Sequence, residues 1–159
     1  MKKLFLLIFI TTLFLTGCSQ INNRTYTYID VPEEINLYYR GDIVNIQKNT
    51  EKYDIILSFI NKTIADTEPM GIMKSVRIIP DEEKIKTTGY ALELIYEKTT
   101  HNQLMIDGRK QVVRFDKVLI PLDNNIIFIG GEEGYSSKAL TISFIPKEFV
   151  ATLLDYKNM

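Results

Sequence analysis

From residue 26 to residue 145 the sequence reads as one short strand-like run after another, with a single departure to a helical period. Runs rich in β-branched and aromatic residues suit a pleated, half-buried surface. They fall at 26–29 (YTYI), 35–39 (INLYY), 43–47 (IVNIQ), 72–79, 90–97, 111–120, 126–129 and 138–145. Turn chemistry separates them at Pro32, Arg40-Gly41-Asp42, Pro80, Asp107-Gly108 and Asp123-Asn124-Asn125. Within 90–97, Tyr90, Leu92, Leu94 and Tyr96 alternate with Ala91, Glu93, Ile95 and Glu97, which predicts one buried side and one wetter side.

The departure is 50–66. There Tyr53, Ile56, Leu57, Ile60 and Ile64 recur at helical spacing and make one apolar face. Asn49 or Thr50 can cap this helix, Glu51 and Asp54 favour its first turn, and Pro69 lies just past its end. Pro146 suits the first turn of a short final helix with Phe149, Val150, Leu153 and Leu154 on its apolar edge. Strands follow strands without intervening helices, so parallel βαβ winding is disfavoured. The expected fold is α+β. It is a mostly antiparallel sheet of six to eight strands, with one amphipathic helix packed on a face and a short C-terminal helix.

The N-terminal residues carry a different signal. Met1-Lys2-Lys3 is a short positive segment, and 4–15 (LFLLIFITTLFL) is apolar apart from Thr11 and Thr12. Twelve helical residues span about 18 Å, against about 30 Å for a bilayer's hydrocarbon core. A signal peptide fits better than a spanning helix. Leu15-Thr16-Gly17-Cys18 follows directly, and Cys18 is the sole cysteine. This tetrapeptide resembles the lipobox of bacterial membrane lipoproteins at all four positions. The resemblance implies diacylglycerol on the Cys18 thiol and cleavage before Cys18. In some bacteria the freed amino group is also acylated, typically with palmitate. Each buried CH₂ contributes about 0.8 kcal/mol, so two acyl chains anchor stably where one is marginal.

The expected organisation is therefore a signal peptide at 1–17, a lipid-anchored tether at 18–24 and a single extracytoplasmic domain at 25–159. Removing the leader leaves 17 basic against 20 acidic groups, a net charge of −3. Such a surface is not drawn to anionic lipid heads, and the anchor does the holding. Isoleucine outnumbers alanine 23 to 4 and lysine outnumbers arginine 14 to 5, a bias of AT-rich genomes that favours a Gram-positive envelope.

Composition also excludes chemistries. The balanced charge argues against a nucleic-acid partner. One cysteine and one histidine exclude a disulfide framework and multi-histidine or cysteine-rich metal sites. Arg40-Gly41-Asp42 spells the integrin tripeptide but sits between two strand-like runs, where a turn is the expectation. Gly130-Gly131-Glu132-Glu133-Gly134 superficially resembles the hairpin motif of diguanylate cyclases. Gly134 stands where that family has phenylalanine, and two carboxylates without neighbouring cations would repel phosphate. A flexible solvated loop is expected there. His101 lies in a polar stretch (TTHNQ) and reads as an exposed loop residue. Glu33-Glu34, Asp81-Glu82-Glu83 and Glu132-Glu133 read as solvated turns, because strand neighbours point to opposite faces. Tyr26, Tyr28, Tyr38 and Tyr39 cluster near the tether and suit sheet packing or a partner surface.

No catalytic, cofactor-binding or metal-binding residue is assigned; the one assigned site is lipidation at Cys18. The expected function is a lipid-anchored, non-catalytic binding or accessory protein of the bacterial cell envelope. Its partners are the membrane, through Cys18, and an envelope protein. The alternatives are an envelope hydrolase working with carboxylates and a small-ligand carrier.

Overall fold

The structure is a computed structural model that describes residues 28–67, 71, 73–143 and 145–155. The expected leader and tether, with Cys18, Tyr26, Pro69 and Ile72, lie outside the described residues. The chain forms an α+β fold around one seven-stranded sheet. Strands β1 (Glu34–Tyr39) and β2 (Asp42–Ile46) make a hairpin, followed by helix α1 (Glu51–Thr67). A three-residue strand β3 (Ser75–Arg77) and a seven-residue helix α2 (Glu82–Thr88) precede the long strands β4 (Tyr90–Ile106) and β5 (Arg109–Pro121). A last hairpin, β6 (Ile126–Gly131) and β7 (Gly134–Thr141), leads to α3 (Lys147–Asp155). The spatial order is β2-β1-β4-β5-β6-β7-β3, and every neighbouring pair is antiparallel.

The helical period at 50–66 produces α1 within one residue of the expected ends. Thr50 Oγ1 accepts from the Tyr53 amide as its cap. Tyr53, Ile56, Ile60 and Ile64 of α1, with Phe149 and Leu153 of α3, bury one face of the sheet through Ile35, Leu37, Leu92, Leu94 and Ile120. Phe59 and Phe149 stack at 3.5 Å between ring centres and join the two helices. Each fully buried aliphatic side chain here contributes about 1.5–3 kcal/mol.

The opposite face is also covered. Tyr38, Ala91, Leu119, Phe128 and Ala139 form a second buried cluster, with Val76, Ile85 and Tyr135 packed against it. Hence Ala91 and Glu93, expected on a wetter side of β4, are both buried. What covers them is α2, in place of the acidic turn expected at 81–83. Asp81 caps it by accepting from the Lys84 amide at 3.0 Å, and Glu82 and Glu83 occupy its first turn.

Several other boundaries differ for identifiable reasons. Tyr28 and Ile29 do not start a strand, because both amides donate to Asn61 Oδ1 on α1. Strand β3 is short, since Pro80 has no amide to extend its pairing. Strand β4 runs on through 99–103, so His101 is a strand residue opposite Arg114 rather than a loop residue. The polar stretch keeps period two: Thr100 and Asn102 are buried while His101 and Gln103 face out, and Thr100 is satisfied by a hydrogen bond to Asp30. An irregularity between Ile95 and Thr100 shifts the register against β5. The segment 130–134 is solvated at Glu132 and Glu133 as expected, but it closes a hairpin rather than forming an open loop. Gly131 pairs with Gly134 across a tight Glu132-Glu133 turn, and β7 begins there rather than at 138.

Gly130 matters through contact rather than conformation. A Cβ there would lie 2.8 Å from both Lys117 Cγ and the Tyr135 ring. The ring cannot yield freely, because its hydroxyl is bonded to Glu93. Gly130→Ala is therefore expected to lower stability by about 1–3 kcal/mol in chemical denaturation, the usual cost of overpacking. An unchanged midpoint would mean that Tyr135 is loosely held.

Candidate functional site

The most unusual group in the described residues is Glu93. It sits in the middle of the second sheet face at 4% exposure, among apolar neighbours. An unpaired carboxylate there would cost several kcal/mol. Three donors converge on it instead. Tyr38 Oη donates to Oε2 at 2.5 Å, and Tyr135 Oη and Lys86 Nζ donate to Oε1 at 2.6 and 2.7 Å. Tyr38 comes from β1, Tyr135 from β7 and Lys86 from α2, so one carboxylate ties together three elements on either side of β4. The Lys86 ammonium also lies 4.9 Å from the Tyr38 ring centre and 5.8 Å from that of Tyr135, where cation–π attraction adds to the ion pair. Its second acid, Glu82, is one helical turn away at 2.8 Å.

The protonation states follow from this geometry. Burial alone would raise the Glu93 pKa, but the hydrogen bonds from Lys86, Tyr135 and Tyr38 hold it below the ordinary glutamate value of 4.5. Burial opposes the Lys86 charge, yet Glu82 and Glu93 raise its pKa above the usual lysine value. Tyr38 is pushed up to about 12, by burial first and then by its bond to Glu93. Burial and the same carboxylate raise Tyr135 as well. The shifts move all four groups away from neutral pH, where general acid–base and lysine nucleophile chemistry work best. The arrangement acts as a clamp. Because the folded Glu93 pKa is depressed, its stabilisation is full above the ordinary value and is lost as pH falls through the folded pKa.

The clamp holds α2, which has no fully buried residue of its own. The β1–β2 turn helps from the other end. Arg40 and Gly41 have φ of 48° and 91°, a left-handed pair that suits a two-residue hairpin. Their amides donate to the Gly89 and Lys86 carbonyls at 2.9 and 3.2 Å, satisfying the C-terminal end of α2. The Arg40-Gly41-Asp42 tripeptide is thus a structural turn. Beside it, Tyr38, Ile43, Glu82, Glu83, Lys86 and Thr87 line an open groove of about 520 Å³.

A second concave region lies where β5 and β6 part. They pair only from Lys117 to Leu119, against Gly130 to Phe128. Below Lys117, β5 runs on beside β4 with no strand on its other side among the described residues. The gap holds two adjoining clefts of about 590 and 220 Å³ that share Arg114, Ile129 and Ser136. The apolar space between α1, α3 and the sheet, by contrast, amounts to about 10 Å³, no more than one water's worth.

The structure does not gather the remaining sequence candidates into one site. His101 is exposed on β4, and Glu132 and Glu133 form a hairpin turn. Glu33 pairs with Lys48 at 2.7 Å on the surface, while Glu34 opens β1 and accepts from Asn36 and Asn45 rather than lying in a turn. No group of three or more His, Cys, Asp or Glu side chains among the described residues is placed to hold a metal ion. The tyrosines do not form one patch: Tyr28 packs toward the α1 side, Tyr38 toward the α2 side, and Tyr39 lies edge-on to Tyr90. Glu93 and Lys86 escaped the sequence reading. The signals available were the small Ala91 and apolar Ile95 flanking Glu93, and the run from Pro80 and Asp81 to Gly89, which has a helix cap and stop. No protein-family model, curated protein or solved structure matches this chain.

Lys86→Met strands the Glu93 carboxylate, which has no second cation among the ion pairs of the described residues. A loss of about 3–5 kcal/mol is expected in denaturant titration. Glu93→Gln should cost clearly less, because Lys86 keeps Glu82 and the amide oxygen still accepts from a tyrosine. Equal costs would contradict the clamp.

Proposed function

We propose that the protein is a lipid-anchored, non-catalytic binding or accessory protein of the bacterial cell envelope, held at the outer face of the membrane by diacylglycerol on Cys18. The observation that carries this reading is Leu15-Thr16-Gly17-Cys18, set directly after a twelve-residue apolar run and a positive N-terminus. Two features of the folded part support the binding role. The buried ionisable groups bond to one another and hold the fold together, and the concave surfaces are open clefts beside exposed main chain. The nine residues 19–27, between Cys18 and the first described residue, reach at most about 30 Å when extended, so the anchor keeps the domain within that distance of the bilayer.

Cells expressing the wild-type chain should incorporate labelled palmitate into it and yield a polypeptide lacking Met1. Cys18→Ser should abolish the label and leave the leader uncleaved. A variant still processed in the same way, or a wild-type chain that keeps Met1 and takes no label, would overturn the anchor.

A further inference from the structure

We propose that the free edge of β5 receives an extended segment of a partner protein as an added antiparallel strand, basic toward its N-terminus and acidic toward its C-terminus. The inference deepens the binding role proposed above and rests on it. Residues 111–115 pair with β4 on one side, Asp116 sits at the irregularity that follows, and none of 111–116 pairs with a strand on the other side among the described residues. A strand with an open edge is a template for main-chain pairing, and sheets ordinarily blunt such edges with proline, bulges, charged side chains or short length; the charges on this one, Arg114 and Asp116, disfavour an unmatched strand and admit a complementary one. The edge strand β3 is three residues long and is followed by Pro80. The β5 edge has no proline between Arg109 and Leu119, and Val112 on it is 62% exposed.

The adjoining cleft says what would lie there. Its floor is apolar, made by Val113, Ile129 and Leu140, which suits alternate side chains of an added strand. Its lining changes sign along its length. Beside residues 111–114 the charged groups are Arg114 and Lys138, with no acid. Beside residues 114–116 the lining adds Asp116, Glu132 and Glu133. One Asp116 carboxylate oxygen is buried without a hydrogen-bond partner. Every pairing in the sheet is antiparallel, and an added strand continuing that pattern meets Asp116 first and Gln111 last. Its early residues therefore face the acids and its late residues face Arg114 and Lys138. This complementarity selects register and direction more than affinity.

The test uses the full chain in detergent and a blocked six-residue peptide with lysine first and glutamate fifth, which share one face of an extended strand, and valine or threonine elsewhere. Saturable binding with new hydrogen-exchange protection within 111–116 is the expected result. Exchanging the two charged peptide residues should weaken binding roughly tenfold, since exposed ion pairs become like-charge contacts. Arg114→Glu should weaken binding of the original peptide by a similar factor. Methylating alternate peptide nitrogens should abolish it. Equal binding of the methylated peptide, or of the charge-exchanged one, would overturn the proposal. So would protection of 111–116 by self-association alone, which would make a second copy the occupant, or no protection at millimolar peptide. Peptide binding by an unlipidated chain would remove the anchor and keep this inference; a lipidated chain that ignores the peptide would do the reverse.

Discussion

A carboxylate buried on an apolar sheet face sets the terms for half of this molecule. Glu93 lies among Tyr38, Ala91, Leu119 and Phe128, and only converging donors make that position tolerable. The donors come from elements far apart in sequence, and each must be in place for the carboxylate to be satisfied. Half-satisfied buried networks are worse than apolar ones, so the cluster enforces one arrangement of β1, α2, β4 and β7. Gly130 belongs to the same requirement, since it leaves room for the Tyr135 ring.

Helix α2 shows the dependence most plainly. Seven residues are too few to hold a helix in water. Its apolar contribution is chiefly Ile85, half-buried against the second cluster. The rest of its hold comes from the Asp81 cap, the Lys86 ion pair and the two amides of the Arg40-Gly41 turn. The α1 side of the sheet is different. It is held by a broad aliphatic core and stacked aromatic rings, a non-directional kind of packing that tolerates imprecision. The two faces thus rest on different physics, one on area and one on geometry.

This division also explains what was legible in the sequence. The span of α1 followed from apolar periodicity, because burial on the α1 side repeats with the secondary-structure period, and the α+β class with antiparallel pairing followed from strands succeeding one another without helices between them; the order of the strands did not. Helix α2 carries no such period, so only its cap and its terminal glycine announced it. Glu93 looked like a solvent-side residue because a charge in an alternating strand ordinarily is one. His101 looked like a loop residue because Thr100 and Asn102 are polar, although both point inward. The parting of β5 from β6 leaves no trace in local sequence, since it depends on which strands meet across the sheet. The proposed binding role of that gap therefore rests on pairing and charge placement, whereas the proposed anchor at Cys18 rests on sequence alone.

The most direct measurement is hydrogen exchange on the full chain as pH is lowered, corrected for intrinsic rates. It would compare the amides of Ile85, Arg40 and Gly41, which bond in or onto α2, with those in the middle of α1. Since the Glu93 pKa is depressed by its partners, protonation removes the clamp only below the ordinary value of 4.5. The account predicts that α2 and its contacts with the β1–β2 turn lose protection there while α1 is still closed, and that Glu93→Gln erases the difference. Simultaneous loss of protection in α1 and α2, unchanged by that substitution, would contradict it.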